Sequence, residues 1–217
     1  MGKLFVIDGT DGSGKQTQFE KLKERLAQDG IDYQTVSFPN YESPSSALVK
    51  MYLSGEFGEH AKDISPYIAS TFYAADRYAT YITKYKTYYE NGGIILADRY
   101  TTSSMIHQAG KIENREERKK FLDWLLNFEF QLYGLPVPTE VFFLKMPTEN
   151  ALELIKNREN KFTHEAKKDI HEKDKSHLLD SFYAACEVAI ECVKDSKVRT
   201  IEDIHEEIYQ EIKKHVG

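Results

Sequence analysis

Four short apolar runs punctuate the chain, each halted by a glycine, a proline or an acid. KLFVID (3–8), YQTVSF (33–38), IILAD (94–98) and EVFFLKM (140–146) are rich in β-branched and aromatic residues and too short for helices. They predict buried strands. Between them the apolar period lengthens to that of helices. From Lys15 onward, Phe19, Leu22 and Leu26 share one face, and Asp29-Gly30 supplies a glycine stop. A long helix is predicted over 64–90, with Ile68, Phe72, Ala75, Ala79 and Ile82 as its inner stripe and Asn91-Gly92-Gly93 as its end. Further helices are predicted near 101–109, over 115–132, from 147 to 158, from 172 to 195 and at the C-terminus, with a fifth short strand at 197–201.

Residues 159–171, ENKFTHEAKKDIH, break this rhythm: they lack an apolar stripe and are rich in lysine. They read as a flexible, solvated lid. Strands alternating with helices place the chain in the α/β class, with a parallel five-stranded sheet covered by helices on both faces. The whole of 1–217 is expected to form one domain, with the lid inserted at 159–171. Ligands of such sheets bind beyond the carboxyl ends of the strands. Three ends carry polar chemistry: Gly9–Lys15, Phe38-Pro39-Asn40-Tyr41 and Asp98-Arg99-Tyr100.

Composition narrows the function. With 217 residues and 41% hydrophobic content, the chain suits one domain. A net charge of −6 argues against a broad nucleic-acid surface, which needs positive patches facing the phosphate backbone. Cys186 and Cys192 stand six apart, which fits neither a metal pair nor a disulfide framework; both read as buried thiols in a reducing compartment. No apolar run nears the ~20 residues that span a bilayer. The first residues reach Asp8 too soon for a signal peptide, and Val6 stands where a myristoylation signal needs Ser or Thr. The expectation is a cytoplasmic protein with no membrane partner.

GTDGSGKQT (9–17) has the G-x-x-x-x-G-K spacing of a phosphate-binding loop, and it stands between a predicted strand and a predicted helix. Its glycines let backbone N–H groups close around phosphate oxygens, the helix N-terminus adds partial positive charge, and Lys15 supplies a full one. After the lysine such loops carry Ser or Thr, whose hydroxyl holds Mg²⁺; here Gln16 stands there and Thr17 follows. Asp98, at a strand end, fits a carboxylate that fixes Mg²⁺ or its waters, and Arg99 beside it fits a phosphoryl clamp. Tyr73 and Arg77, four apart on one helical face, can stack on a base and bond its edge; spacing alone favours core packing with a solvated arginine. Arg158, Lys161, Lys167 and Lys168 in and beside the lid can close over a phosphate or simply form a solvated face. No cluster has zinc spacing and no G-x-S-x-G occurs.

Taken in order, GTDGSGK, FPNY, FYAADR, DRYTTSS…HQ and IHEKD resemble the thymidylate kinases, the nucleoside-monophosphate kinases that act on dTMP. The resemblance spans nearly the whole chain. It implies a P-loop kinase fold, ATP and Mg²⁺ as cofactors, dTMP as acceptor and a homodimer. It implies that Gly9, Thr10, Asp11, Gly12, Ser13, Gly14, Lys15, Gln16 and Thr17 hold the ATP phosphates, with Asp11 also near the sugar and acceptor phosphate. Phe38 and Pro39 would line the thymidine pocket and Tyr41 approach its phosphate. Tyr73 would stack on thymine and Arg77 bind a base-edge oxygen. Arg99 would bind the acceptor phosphate, with Asp98, Asp11 and Glu172 serving the metal. Ser104, His107 and Gln108 would sit near base and sugar, and Arg158, Lys167 and Lys168 would bring positive charge to the transferring group.

The chain also departs from the family pattern. Asn40 stands where arginine often follows Phe-Pro, His107 where an aromatic packs near the sugar 2′ carbon, and Asp169-Ile170 where the lid often has Asp-Arg. With Gln16 after the lysine, Mg²⁺ is expected to rely on phosphates, water and Asp98. The alternatives are a kinase for another nucleoside or its monophosphate, or a non-catalytic P-loop switch. Against a guanine-type switch, Asn160-Lys161-Phe162-Thr163 lacks the final acid of N-K-x-D. The acceptor phosphate, whose second pKa is about 6, is largely ionised at neutral pH, so no strong general base is required.

Overall fold

The computed structural model describes residues 1–10, 12–147, 149–150, 189–194 and 197–216. Five strands form one parallel sheet in the order β2-β3-β1-β4-β5: β1 Lys3–Gly9, β2 Gln34–Ser37, β3 Ile94–Asp98, β4 Glu140–Lys145 and β5 Ala189–Glu191. The four strands predicted from the apolar runs lie within a residue or two of their expected bounds. The fifth does not. It lies at 189–191, inside the stretch expected to be helix, whereas Lys197–Val198 (β7) pairs with Val193–Lys194 (β6) in a separate two-stranded ladder. A three-residue strand is too short to leave a period of its own in the sequence.

Alternation along β1 divides the core. Phe5 and Ile7 face one layer, where α1 (Lys15–Gln28) and α7 (Ile201–Val216) bring Phe19, Leu22, Leu26, Ile204, Ile208 and Ile212. Leu4 and Val6 face the other, with Val36, Ile95, Ala97, Tyr81, Tyr85, Tyr89 and Tyr100. The π-helical segment at Tyr81–Tyr85 and α4 (Lys86–Glu90) supply its helical side chains, and both continue α3 (Pro66–Thr80) in one helical stretch. The stripe expected to face inward is therefore corrected: Ile68 and Ile82 are exposed, and Phe72, Ala75 and Ala79 are half-buried. The inner face instead carries Ser70, Ala74, Arg77, Tyr81 and Tyr85. Among the described residues the remaining α-helices are α2 (Ala47–Ser54), absent from the sequence reading, α5 (Thr101–His107) and α6 (Arg115–Leu126), which runs into a second π-helical segment at Asn127–Leu132. Cys192 is buried, as expected, and burial pushes its thiol up to about 12. Cys186, the lid at 159–171, residues 151–158 of the helix expected from 147 to 158 and residues 172–188 of the one expected from 172 to 195 lie outside the described residues.

Lys111 packs the small cluster around Tyr52 against the turn after α5. Its Nζ lies 2.8 Å from the Tyr52 hydroxyl and 3.2 Å from the carbonyl of Ile64, over the Tyr52 ring. Burial pushes its amine down from 10.5 to about 7. Below that value Lys111 is charged both folded and unfolded, and the fold bears the desolvation of the charge. Above it the folded chain holds a neutral amine while the unfolded chain stays charged, so stability rises with pH through this window. Lys111→Met should flatten the rise in urea-unfolding free energy between pH 7 and 10; a rise of unchanged slope would show that another group causes it.

Candidate active site

Parallel register brings the three polar strand ends together. Ser37 and Ile7 are both paired with Asp98, so the loops after β1, β2 and β3 start side by side. The chain runs from β1 to β2 and β3 on one side and then crosses to β4 and β5 on the other, the arrangement that opens a crevice at strand ends.

The loop after β1 leads directly into α1. Gly14 caps that helix at φ 86°, a left-handed conformation glycine adopts without strain, and a Cβ at Gly9 would stand 2.8 Å from the Leu144 carbonyl. Lys15 Nζ donates to the carbonyls of Gly9 and Thr10, both at 2.9 Å, holding the ammonium against the loop. Thr10 is nearly buried and its hydroxyl lies 3.5 Å from the Met146 carbonyl. Ser13 is buried, and its hydroxyl has no partner among the described residues, a ready donor within the loop. Gly12 has φ 76°. Gln16 is exposed and Thr17 half-buried on the first turn of α1. Asp11 lies outside the described residues.

At the neighbouring ends of β1 and β3 two acids differ in how they are used. Asp8, fully buried, accepts from the Gly9 amide at 2.8 Å, Thr102 Oγ1 at 2.7 Å and Ser103 Oγ at 2.9 Å. Its lone pairs are thus committed to bolting β1 to the start of α5. Among the described residues Asp98 accepts one side-chain bond, from Ser37 Oγ at 3.4 Å. Burial raises its pKa, while Arg99 and Lys15 pull it down. Asp98 is therefore the carboxylate with acceptor capacity left for a cation or its waters. Among the described residues no group of three or more His, Cys, Asp or Glu side chains could hold a metal by themselves.

Arg99 stands at φ 65°, a left-handed conformation that carries strain in a non-glycine residue. Its amide donates to the Ile7 carbonyl at 3.0 Å, and Nη1 lies 3.3 Å from Ser103 Oγ, 3.4 Å from His107 Nε2 and 3.8 Å from Asp8 Oδ1. The backbone turn brings the guanidinium back over α5, between the loop and the acceptor side.

After β2, Phe38 is buried against the Tyr100 ring, the Phe38–Pro39 bond is cis, and Tyr41 is exposed. Asn40 turns inward: its amide donates to Asp76 at 2.8 Å and its side chain to Thr80 at 3.1 Å. The residue that replaces the family's frequent arginine is thus committed to α3. Asp76, which the sequence reading passed over, anchors this loop and also accepts from Ser45 Oγ.

On α3, Tyr73 is half-buried, edge-on to Tyr52. Arg77 is no solvated arginine, being 1% exposed. Its Nε and Nη2 donate to Glu129 Oε2 and Oε1 at 2.8 and 2.5 Å, Nη2 also donates to Ser104 Oγ at 3.0 Å, and Nη1 lies 3.4 Å from the Tyr100 carbonyl. Glu129, fully buried, was missed as well. Its signal was an acid at the inward position that continues the buried row Phe121, Leu125. Removing one partner of such a buried pair costs about 3–5 kcal/mol, because the other charge is stranded. Gln108 is buried, and its Oε1 has no partner among the described residues; its backbone N–H donates to the Ser104 carbonyl, so it stands one turn beyond the hydroxyl that Arg77 holds. Arg158, Lys167, Lys168 and Glu172 lie outside the described residues.

With this geometry in view, the thymidylate kinase family profile matches residues 7–208. A thymidylate kinase of Mycobacterium tuberculosis (strain H37Rv) is 30% identical over 156 residues, 71% of each chain. One of Plasmodium falciparum (isolate 3D7) is 26% identical over 214 residues, 98% of this chain and 90% of its own. The solved structure of a thymidylate kinase from Candida albicans shares the fold with a TM-score of 0.67 at 19% identity, covering 99% of this chain and 92% of that one.

Proposed function

The chain belongs to the thymidylate kinase family and transfers the γ-phosphoryl group of ATP to dTMP, and we propose that the strand-end crevice divides this work between a phosphate half and a base half. In the phosphate half, Gly9 to Thr17 bind the ATP phosphates, with Lys15 as their charge and Ser13 as a hydroxyl donor. Arg99 holds the acceptor phosphate, and one of its oxygens attacks the γ-phosphorus as the bond to the β-phosphate oxygen of ADP breaks. The transition state is loose and needs alignment and charge more than a base. Mg²⁺, when bound, neutralises the phosphate oxygens; Asp98, with water and the phosphates themselves, would hold it, joined by Asp11 and Glu172. Arg158, Lys167 and Lys168 would add charge from the lid.

In the base half, Tyr73 stacks on the ring, Phe38 and Pro39 line the pocket, and Tyr41, Ser104 and His107 face sugar and phosphate. One observation carries the choice of base. Arg77 has five N–H groups, and its four bonds among the described residues leave one on Nη1, while Gln108 Oε1 is a buried acceptor with no partner among those residues. A donor from Arg77 and an acceptor from Gln108 would together complement the C4 carbonyl and N3–H of thymine and oppose the amino group and bare N3 of cytosine. In a coupled assay with ATP and Mg²⁺, dTMP should be the best acceptor, with dCMP worse by at least about 10³ in kcat/KM because it leaves buried groups unpaired. Any other monophosphate, or thymidine, outperforming dTMP would overturn the reading. A ternary structure tests the metal and lid together: a direct Gln16–Mg²⁺ bond near ~2.1 Å would replace the water-and-Asp98 arrangement.

The exposed stripe of α3 and the π segment, Ile68, Tyr78 and Ile82, supports a homodimer formed across that face. A monomeric mass by light scattering at micromolar concentration would remove that proposal. A cytoplasmic site is part of the same reading; no helix among the described residues is long and apolar enough to cross a membrane.

A further inference from the structure

We propose that Glu129 is a positioning residue for base recognition: it grips the Arg77 guanidinium by two nitrogens and leaves Nη1 as the edge that meets the 4-oxo group of the pyrimidine. The inference rests on the reading that Arg77 faces the base. Glu129 Oε2 accepts from Arg77 Nε at 2.8 Å and from Thr101 Oγ1 at 2.6 Å, and Oε1 accepts from Arg77 Nη2 at 2.5 Å. Three donors on two oxygens, in a fully buried setting, leave the carboxylate no freedom to turn. The paired grip fixes the rotation of the guanidinium plane, as only a fork-to-fork contact does.

Two local features place the acid there. Phe121, Leu125 and Glu129 follow at intervals of four on the inward face, so the carboxylate occupies a position the packing would give to an apolar side chain. It sits in the π-helical segment Asn127–Leu132, while Arg77 lies one turn before the π-helical segment Tyr81–Tyr85. π-helical turns recur where a helix must re-aim a functional side chain.

The pairing also changes what Arg77 can recognise. An arginine without its carboxylate is a second phosphate site that would compete with Arg99. Neutralised by Glu129, it offers a directed N–H with little net charge, suited to an uncharged carbonyl. Glu129→Gln removes the charge and places an amide NH₂ against the Arg77 or Thr101 donors, so the plane turns and Nη1 loses its aim.

The test varies dTMP and ATP separately for Glu129→Gln, Glu129→Asp and Arg77→Lys, with melting temperatures recorded. Glu129→Gln should raise the KM for dTMP by at least about tenfold, as expected for losing one well-aligned bond to a charged group, and lower the dTMP-to-dCMP ratio of kcat/KM by a similar factor. The KM for ATP should stay within about twofold, since a smaller active fraction lowers kcat and leaves both KM values in place. Glu129→Asp, which keeps the charge, should fall between and serves if the glutamine variant does not fold. A dTMP KM and selectivity that stay unchanged in the Glu129 variants, while Arg77→Lys moves both, would overturn the inference. If Arg77→Lys moves neither, the placement of Arg77 at the base falls first.

Discussion

Lys15→Met should lower kcat at saturating dTMP by about 10²–10³, the loss that follows removal of one pre-aimed donor from a site of developing charge. The ammonium is already held at 2.9 Å from the carbonyls of Gly9 and Thr10, at the mouth of a loop whose helix begins at Lys15 itself. Loose transfer spreads charge over the equatorial oxygens of the migrating group, and a point charge fixed beside them acts more on the transition state than on bound ATP. The KM for ATP should therefore change much less than kcat. Methionine retains the stem of the side chain, so the melting temperature should stay within a few degrees. A kcat within about threefold of the parent would remove Lys15 from the chemistry.

The second large effect is expected at Arg99, where function and stability should move in opposite directions. Its φ of 65° is a conformation that glycine adopts freely and alanine does not. Arg99→Gly and Arg99→Ala both delete the guanidinium and its contacts with Ser103, His107 and Asp8; they differ in backbone alone. Both should lower kcat/KM for dTMP by about 10²–10³, through loss of the charge-assisted grip on the acceptor phosphate. The glycine variant should nevertheless be the more stable of the two by about 1 kcal/mol, measured by urea unfolding. Equal stability would mean that the left-handed turn is not strained. Retained dTMP efficiency in both would assign the phosphate clamp to another residue. An arginine kept at a strained position, where glycine would relax the chain, is itself a reason to look for function there.

Much of this site was legible in the chain because its parts are local. The phosphate loop is a strand, a glycine turn and a helix within about twenty residues, and its glycines, lysine and helix start are all set by short-range geometry. DRY after an apolar strand and FPNY after another are likewise strand-end signals, and parallel pairing brings such ends together without further information. Tyr73 and Arg77 could be placed on one face by spacing alone. What spacing could not supply was direction. Ile68, Phe72, Ala75, Ala79 and Ile82 form the more apolar stripe of their helix, and amphipathic reasoning turns that stripe inward. The buried face instead carries Ala74, Arg77, Tyr81 and Tyr85. Burying a charge runs against pattern, and it is possible only because Glu129, 52 residues later, arrives to pair with it.

The same reason separates the two kinds of knowledge throughout the protein. Hydrophobic period, turn chemistry and the spacing of the motifs determined the α/β class, four of the five strands, the phosphate loop and the acids and arginine at the strand ends. Tertiary structure alone decided that β5 lies at 189–191, that Asn40 turns away from the acceptor side toward Thr80, that Asp8 is committed to α5 while Asp98 keeps acceptor capacity, and that Glu129 holds Arg77. Each of these is settled by a partner far away in sequence. Local propensity is a property of neighbouring residues, whereas the satisfaction of a buried polar group is a property of whatever the fold brings within three ångströms of it.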